Sequence, residues 1–195
     1  SKQFNNLYQA LVEQFTELRR RNPDMSPSLL ISAMRDTPED DTNVAVLGEA
    51  AKEAGFDVEY AYIDEVEFSE VEGIFKQNPK NGRFEQFDFW FKLVPWEYIA
   101  YDEPELTETL TGILKNRKAI IINPAYTLLF QSKYILKLLW DLYPNHPLLL
   151  PTTTHPLPDK VSVEKVLFGR EGANVRILEA NGAVISVAAG DYGDY

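Results

Sequence analysis

The chain has 195 residues, of which 45% are apolar and 12% aromatic, and its formal net charge is −11. This length and composition support one or two domains with a hydrophobic core and argue against disorder. With no cysteine and two histidines, a disulfide scaffold and a thiol nucleophile are excluded, and a histidine-based metal site or triad is disfavoured. The acidity argues against a nucleic-acid partner, no apolar run approaches the roughly 20 residues that span a bilayer, and the lack of cysteine fits a cytoplasmic location.

The first third of the chain predicts a strand–helix–strand unit. An amphipathic helix over residues 5–21 precedes an apolar strand at 28–34. A second helix over 42–54 ends at Gly55, where a left-handed cap is expected, and an alternating strand follows at 56–63. Such a unit is the building block of a parallel sheet covered by helices.

The following segment continues the pattern after a polar interruption. Residues 64–86 are polar and rich in turn signals, which suggests a hairpin excursion. An aromatic strand at 87–94, a helix over 105–116 and a buried strand at 119–122 come next. Residues 1–127 are therefore predicted to form one Rossmann-like α/β domain with a mainly parallel sheet.

Residues 128–195 predict a different architecture. An amphipathic helix over 131–142 is followed by a proline-punctuated linker. Strand pairs joined by tight turns then take over, and Asn181-Gly182 is a strong signal for a two-residue hairpin. The predicted strands are residues 163–168, 174–178 and 183–187, with the second extending to 179 as the partner of the third.

The loop between the first two of these strands contains Gly169 and Gly172, with Lys165 on the preceding strand. Glycines let backbone N–H groups approach phosphate oxygens, and the lysine supplies a cation. The loop matches neither a Walker motif nor a GxGxxG fingerprint, because no helix is predicted after it. Spacing alone therefore also fits an ordinary glycine-containing β-hairpin, and nothing indicates a nicotinamide-dependent dehydrogenase.

An acidic turn, Glu39-Asp40-Asp41, follows the carboxyl end of a predicted strand. Open α/β sheets bind ligands at this edge, so these carboxylates could hold an ammonium group. We then expect the three to surround an open concavity, with at least two of them accessible to solvent. Acidic residues in the first turn of a helix are also ordinary partners of the helix dipole. Both interpretations stay open from the sequence alone.

Two lysine-containing segments are further candidates. The aromatic strand ends in Lys92, Trp96 and Glu97, which could form part of a site. A tryptophan at the edge of the core beside a glutamate on the surface is the simpler interpretation. Lys133 lies at a predicted helix start, which suits a phosphate, although a solvated lysine on a helix surface is the commoner finding.

Several motifs, in order along nearly the whole chain, resemble the synthetase domain of the glutathionylspermidine synthase family. The resemblance begins at residues 4–18 and ends in Gly-Arg-Glu-Gly-Ala-Asn-Val at 169–175. Between them it is carried by the stretches at 35–40, 91–97, 123–129, 131–133, 139–140 and 143–147.

The resemblance implies a pre-ATP-grasp domain followed by the antiparallel N-terminal part of an ATP-grasp domain. It implies an ATP- and Mg²⁺-dependent ligase that activates a carboxylate, such as that of a glutathione-like peptide, as an acyl phosphate for attack by a polyamine or another amine. Glu39 and Asp40 would bind the amine. The implied ATP-binding residues are Lys133, Lys165, Gly169, Arg170, Glu171, Gly172, Ala173 and Asn174.

The chain also departs from the family pattern. The family's Arg-x-Asp and Glu-x-Asn-Ala-Asp-Thr-Pro motifs, which hold magnesium and the catalytic arginine, have no counterpart here, and Lys165 is followed by valine where the family has proline. The acidic pair is Glu-Asp where the family has two glutamates. We therefore expect an internal fragment that lacks catalytic and metal residues and is inactive alone, or else a non-catalytic peptide- or nucleotide-binding module derived from the family.

Overall fold

The computed structural model describes residues 6–157 and 159–192. The chain divides into two compact units, Ser1–Pro124 and Ala125–Tyr195. The helices are α1 (Leu7–Arg21), α2 (Pro38–Glu53), α3 (Trp96–Asp102), α4 (Pro104–Lys115), α5 (Leu128–Gln131) and α6 (Tyr134–Leu142). The strands are β1 (Ser28–Ala33), β2 (Asp57–Tyr62), β3 (Val66–Ser69), β4 (Gly73–Gln77), β5 (Phe84–Phe87), β6 (Phe89–Lys92), β7 (Ile120–Ile122), β8 (Ser162–Lys165), β9 (Val175–Leu178) and β10 (Val184–Ala188).

The first unit is built on a parallel four-stranded sheet in the order β2-β1-β6-β7. Leu29 of β1 pairs with Val58 of β2 on one side and with Phe89 of β6 on the other. The crossover from β1 to β2 runs through α2, as the strand–helix–strand pattern requires. The predicted α/β class with a mainly parallel sheet is confirmed.

Buried apolar side chains hold this sheet against α1 and α2. Leu29 and Ile31 of β1 are almost completely buried, and Phe15 of α1 packs edge-on against Phe56, with ring centroids 5.6 Å apart. Phe56 in turn meets Phe89 at 5.1 Å. Each buried aromatic side chain contributes roughly 1.5–3 kcal/mol to folding, so this row of rings fixes the helices on one face of the sheet.

The polar excursion forms a separate antiparallel sheet in the order β3-β4-β5. The prediction of one continuous strand at 87–94 is wrong, because the strand is interrupted at Asp88. Residues before Asp88 pair with β4, whereas Phe89–Lys92 join the parallel sheet. The Asp88 side chain accepts a bond from the Ser26 N–H at 2.7 Å, and its carbonyl accepts one from the Ile120 N–H at 2.8 Å. These bonds anchor the change of direction.

The start of α2 differs from the prediction, which placed it after the acidic turn. The helix begins at Pro38, so Glu39, Asp40 and Asp41 form its first turn. Proline at the first helical position and acidic residues beside the positive end of the helix dipole both favour this earlier start.

The second unit contains an antiparallel sheet in the order β10-β9-β8. The predicted Asn181-Gly182 hairpin is confirmed: Gly182 has a φ of +85°, and the Asn181 side chain accepts a bond from the Ala183 N–H at 2.8 Å. Among the described residues, no helix has the length and apolar character needed to cross a membrane.

Candidate functional site

In the second unit, three cationic side chains lie around the glycine loop. The loop runs from Val166 to Asn174, because β8 ends at Lys165, earlier than predicted. Lys165 therefore stands at the mouth of the loop. The other two cations are Lys133, just before α6, and Arg170 within the loop.

Lys133 is tied to the loop by both its backbone and its side chain. Its N–H donates to the Leu167 carbonyl at 2.8 Å, and its ammonium group donates to the Gly169 carbonyl. The predicted continuous helix over 131–142 is wrong for this reason. The chain leaves helical geometry at Ser132, and α6 starts only at Tyr134.

The cations influence one another. Burial lowers the pKa of Lys133 below its ordinary value, and the positive charges of Lys165 and Arg170 lower it further. Positive charges that repel one another at a partly buried site are stabilised when an anion binds between them. The cluster thus has the charge that a phosphate group requires.

The loop requires glycine at position 169, because its backbone there passes too close to neighbouring atoms to leave room for a side chain. A Cβ at Gly169 would lie 2.6 Å from Val166 Cγ2 and 3.2 Å from the Ala173 carbonyl oxygen. Glu171, Gly172 and Asn174 all have positive φ. Residues in this sparsely populated region concentrate at functional loops, and successive N–H groups in such turns form anion-binding concavities.

The two glycines and the lack of apolar anchors predict that the loop from Gly169 to Asn174 has few local contacts, but its carboxyl-terminal end is anchored. Asn174 is buried, with 7% of its surface exposed, and its side-chain oxygen accepts a bond from the Tyr192 N–H at 3.2 Å. Glu171 and Gly172 are exposed at the tip. Greater mobility of the loop than of its flanking strands stays a prediction, and Asn174 is expected to be its fixed end.

In the first unit, the acidic residues of α2 lie where the first parallel strands end. Glu39 and Asp41 are exposed and Asp40 is half-buried. Arg35, which could have neutralised them, pairs instead with Asp64 and Glu65 at 2.8 and 2.7 Å. The carboxylates of α2 are therefore accessible to a cationic ligand.

A cleft of about 320 Å³ opens beside these residues, between α2 and the edge of the parallel sheet. Ile31 and Val44 line its apolar part, and Tyr60 and Tyr62 of β2 also line it. The sequence predicted an open concavity surrounded by the acidic residues, two of them accessible; Glu39 and Asp41 are exposed, but of the three only Asp41 lines the cleft. The tyrosine walls were not predicted. The available signal was the spacing of the two tyrosines, since residues two apart in a strand project to the same face.

The β6–α3 segment is more buried than expected. Glu97, predicted at the surface, is only 5% exposed, and Lys92 is 3% exposed. The Lys92 ammonium donates to the Val94 carbonyl at 2.7 Å and lies 3.9 Å from the Trp96 ring centroid. Burial lowers the pKa of Lys92 to about 8, although the negative charge of Glu97 acts in the opposite direction.

This segment also joins two strand ends. The Trp96 indole N–H donates to the Asn123 carbonyl at 2.9 Å, directly after β7. The Leu93 N–H donates to the Ser32 carbonyl of β1 at 2.8 Å. The carboxyl ends of β1, β6 and β7 are thereby connected at the edge where open α/β sheets bind ligands.

The described residues contain no preformed cluster of metal-ligating side chains. Within residues 6–157 and 159–192, no group of three or more histidine, aspartate or glutamate side chains is arranged to hold a metal ion. No chemical step is therefore assigned to Mg²⁺ through these residues.

Comparison with known proteins supports the resemblance seen in the motifs. The family model described as glutathionylspermidine synthase preATP-grasp matches residues 1–195. The chain belongs to this family. The family predicted from the motifs is confirmed. Because the family match covers both units, it does not test the predicted domains at residues 1–127 and 128–195, which stay a prediction.

Two curated proteins are similar to the chain, and both are named as ligases or synthetases. The chain is 31% identical over 194 residues to a Haemophilus influenzae protein provisionally named acid–amine ligase, covering 96% of this chain and 46% of that protein. It is 26% identical over 103 residues to the trypanothione synthetase of Crithidia fasciculata, covering 51% and 15% respectively. The chain thus spans less than half the length of each of these relatives.

Proposed function

We propose that this chain is part of an ATP-dependent acid–amine ligase and that its second unit binds the nucleotide phosphates. The observation that carries the proposal is the convergence of Lys133, Lys165 and Arg170 on the glycine loop, with the pKa of Lys133 lowered by burial and by its two cationic neighbours. The family membership and the name of the Haemophilus relative support the same reaction class.

In the proposed reaction, a carboxylate oxygen attacks the γ-phosphorus of ATP and ADP leaves, after which an amine nitrogen displaces phosphate from the acyl phosphate and loses a proton. Phosphoryl transfer depends mainly on positioning and charge neutralisation. Lys133 and Lys165 supply positive charge to the phosphates, and the loop from Gly169 to Asn174 supplies backbone N–H groups. Mg²⁺ bound together with the nucleotide would neutralise further phosphate charge.

The acid and the amine are assigned only by class. A glutathione-like peptide and a polyamine or another amine are the proposed substrates, supported by the family and by the trypanothione synthetase relative. Glu39 and Asp40 are proposed to attract the amine because they are accessible carboxylates at the ligand-binding edge of the sheet. A cytoplasmic location also stays a prediction.

The nature of the nucleotide product tests the proposed reaction. In protein expressed from its complete gene, acid and amine together are expected to stimulate ATP consumption and to release ADP and phosphate in equal amounts. Coupled assays for ADP and for AMP distinguish this outcome from adenylate chemistry. Release of AMP and pyrophosphate would exclude the acyl-phosphate route, and nucleotide binding without turnover for any acid–amine pair would favour the binding module.

Replacing Glu39 with glutamine is expected to raise the KM for the amine modestly, by up to about fivefold, with little change in kcat. An exposed charge pair contributes only about 0.2–1 kcal/mol, which limits the effect. Asp40→Asn should behave similarly. Steady-state kinetics at low salt is the measurement, and Glu49→Gln is the control because Glu49 pairs with Lys52 on the same helix at 2.8 Å. An equal rise in KM for the control would remove the site assignment.

A further inference from the structure

The ammonium group of Lys133 is bonded to an oxygen of the glycine loop itself. It donates to the Gly169 carbonyl, and the Lys133 N–H donates to the Leu167 carbonyl at 2.8 Å. Both contacts lie within the second unit. The side chain that the proposed function assigns to a phosphate oxygen therefore has an oxygen partner inside the loop.

Close packing holds the loop in this position together with the bond. Val166 is buried, and a Cβ at Gly169 would lie 2.6 Å from its Cγ2 and 3.2 Å from the Ala173 carbonyl oxygen. The Ala173 N–H donates to the Arg170 carbonyl at 2.8 Å and closes the turn that follows Gly169. A larger residue at position 169 would therefore displace the carbonyl from Lys133.

The charge around Lys133 favours an exchange of its partner. Lys165 and Arg170 both lower the pKa of Lys133, so their positive charges lie close enough to repel its ammonium group. A carbonyl offsets this repulsion only through its dipole, whereas a phosphate oxygen carries negative charge and forms a stronger, charge-assisted bond. The carbonyl oxygen is itself partially negative and repels a phosphate oxygen beside the same ammonium group.

We propose that the bond between Lys133 and Gly169 is a latch that competes with phosphate. The ammonium group binds either the Gly169 carbonyl or a phosphate oxygen of ATP, and the loop moves when one replaces the other. This inference deepens the proposed function, on which it rests for ATP as the ligand, by naming how the same site is regulated. The affinity for ATP is reduced by the fraction of molecules in which the latch is closed.

Amide hydrogen exchange tests the latch without any nucleotide. In protein expressed from its complete gene, Lys133→Met should speed exchange of the Ala173 N–H by about three- to tenfold, because the turn that this N–H closes is no longer tethered at Gly169. Lys137→Met is the matched control, since Lys137 lies on α6 and pairs with Asp141, and it should leave this exchange unchanged. Equal exchange rates in the wild type and in Lys133→Met would overturn the proposal.

A double-mutant cycle with ATP tests the exchange of partners. Calorimetric titration compares the wild type, Gly169→Ala, Lys133→Met and the double variant. Gly169→Ala displaces the carbonyl and keeps all three cations. Its effect on ATP affinity should therefore be about three- to tenfold more favourable in the wild type than in Lys133→Met, where there is no latch to open. Equal effects in both backgrounds would overturn the latch and leave the proposed function intact, whereas a wild type that binds no ATP would overturn both.

Discussion

Replacing Lys133 with alanine is expected to weaken ATP binding by about tenfold to a hundredfold in protein expressed from its complete gene. Loss of a charge-assisted hydrogen bond costs about 1.5–3 kcal/mol, which corresponds to this range of dissociation constants. Lys165→Ala should have a similar effect, because Lys165 stands at the mouth of the same loop. Isothermal titration calorimetry with ATP measures both.

Lys137 provides the matched control for this experiment. It lies four residues after Lys133 on α6, and its ammonium group pairs with Asp141. Lys137→Ala should therefore leave the affinity for ATP unchanged. Unchanged affinity in both the Lys133 and the Lys165 variants, or an equal loss in the Lys137 variant, would contradict the phosphate role of the cluster.

The second large effect concerns the pH dependence of folding stability. The folded pKa of Lys92 is about 8, below its ordinary value of 10.5. Below pH 8 both the folded and the unfolded chain carry the proton, and the cost of burying the charge is fully present. Between about pH 8 and 10.5 only the unfolded chain keeps it, so the contribution of Lys92 to stability rises with pH. The rise from pH 7 to pH 10 should be about 2 to 3 kcal/mol.

Urea denaturation of the wild type and of Lys92→Met at pH 7 and pH 10 isolates this contribution. The free energy of unfolding of the wild type, relative to that of the variant, is expected to increase by the stated amount. Lys115→Met, at an exposed position at the end of α4, is the control in which no buried charge is removed. A pH-independent difference for Lys92→Met would show that the charge of Lys92 is solvated in the folded protein.

Hydrophobic periodicity predicted most of the first unit. The strand at residues 28–34 and the helix over 105–116 correspond to β1 and α4 within one residue at each end. These elements carry their own burial pattern, with Leu29 and Leu110 almost completely buried. Local pattern succeeds where one face of an element meets the core.

The errors occur where tertiary contacts override local pattern. The aromatic run at 87–94 looks like one strand, but Phe87 pairs with β4, whereas Phe89–Lys92 pair with β1 in the parallel sheet. The helix α3 was not predicted, because Lys92 and Trp96 become a buried pair only when the ends of β6 and β7 meet. Hydrophobic periodicity cannot predict contacts between strand ends that are far apart in the sequence.

For the candidate sites, the sequence identified the residue types but not their surroundings. Glycine spacing and the family resemblance singled out Lys133 and Gly169, whereas the bond between them is visible only in the fold. An open concavity at the acidic turn was predicted, but its lining was not, because the walls come from two strands and a helix that are separated along the chain.

The most direct test of the central claim is an experimental structure of the protein, expressed from its complete gene, with a non-hydrolysable ATP analogue. The proposed function predicts that the Lys133 ammonium group leaves the Gly169 carbonyl and binds a phosphate oxygen at about 2.7–2.9 Å. Lys165 should contact the same triphosphate, with the loop from Gly169 to Asn174 closed over it. A nucleotide bound elsewhere, with Lys133 still donating to Gly169, would contradict the account.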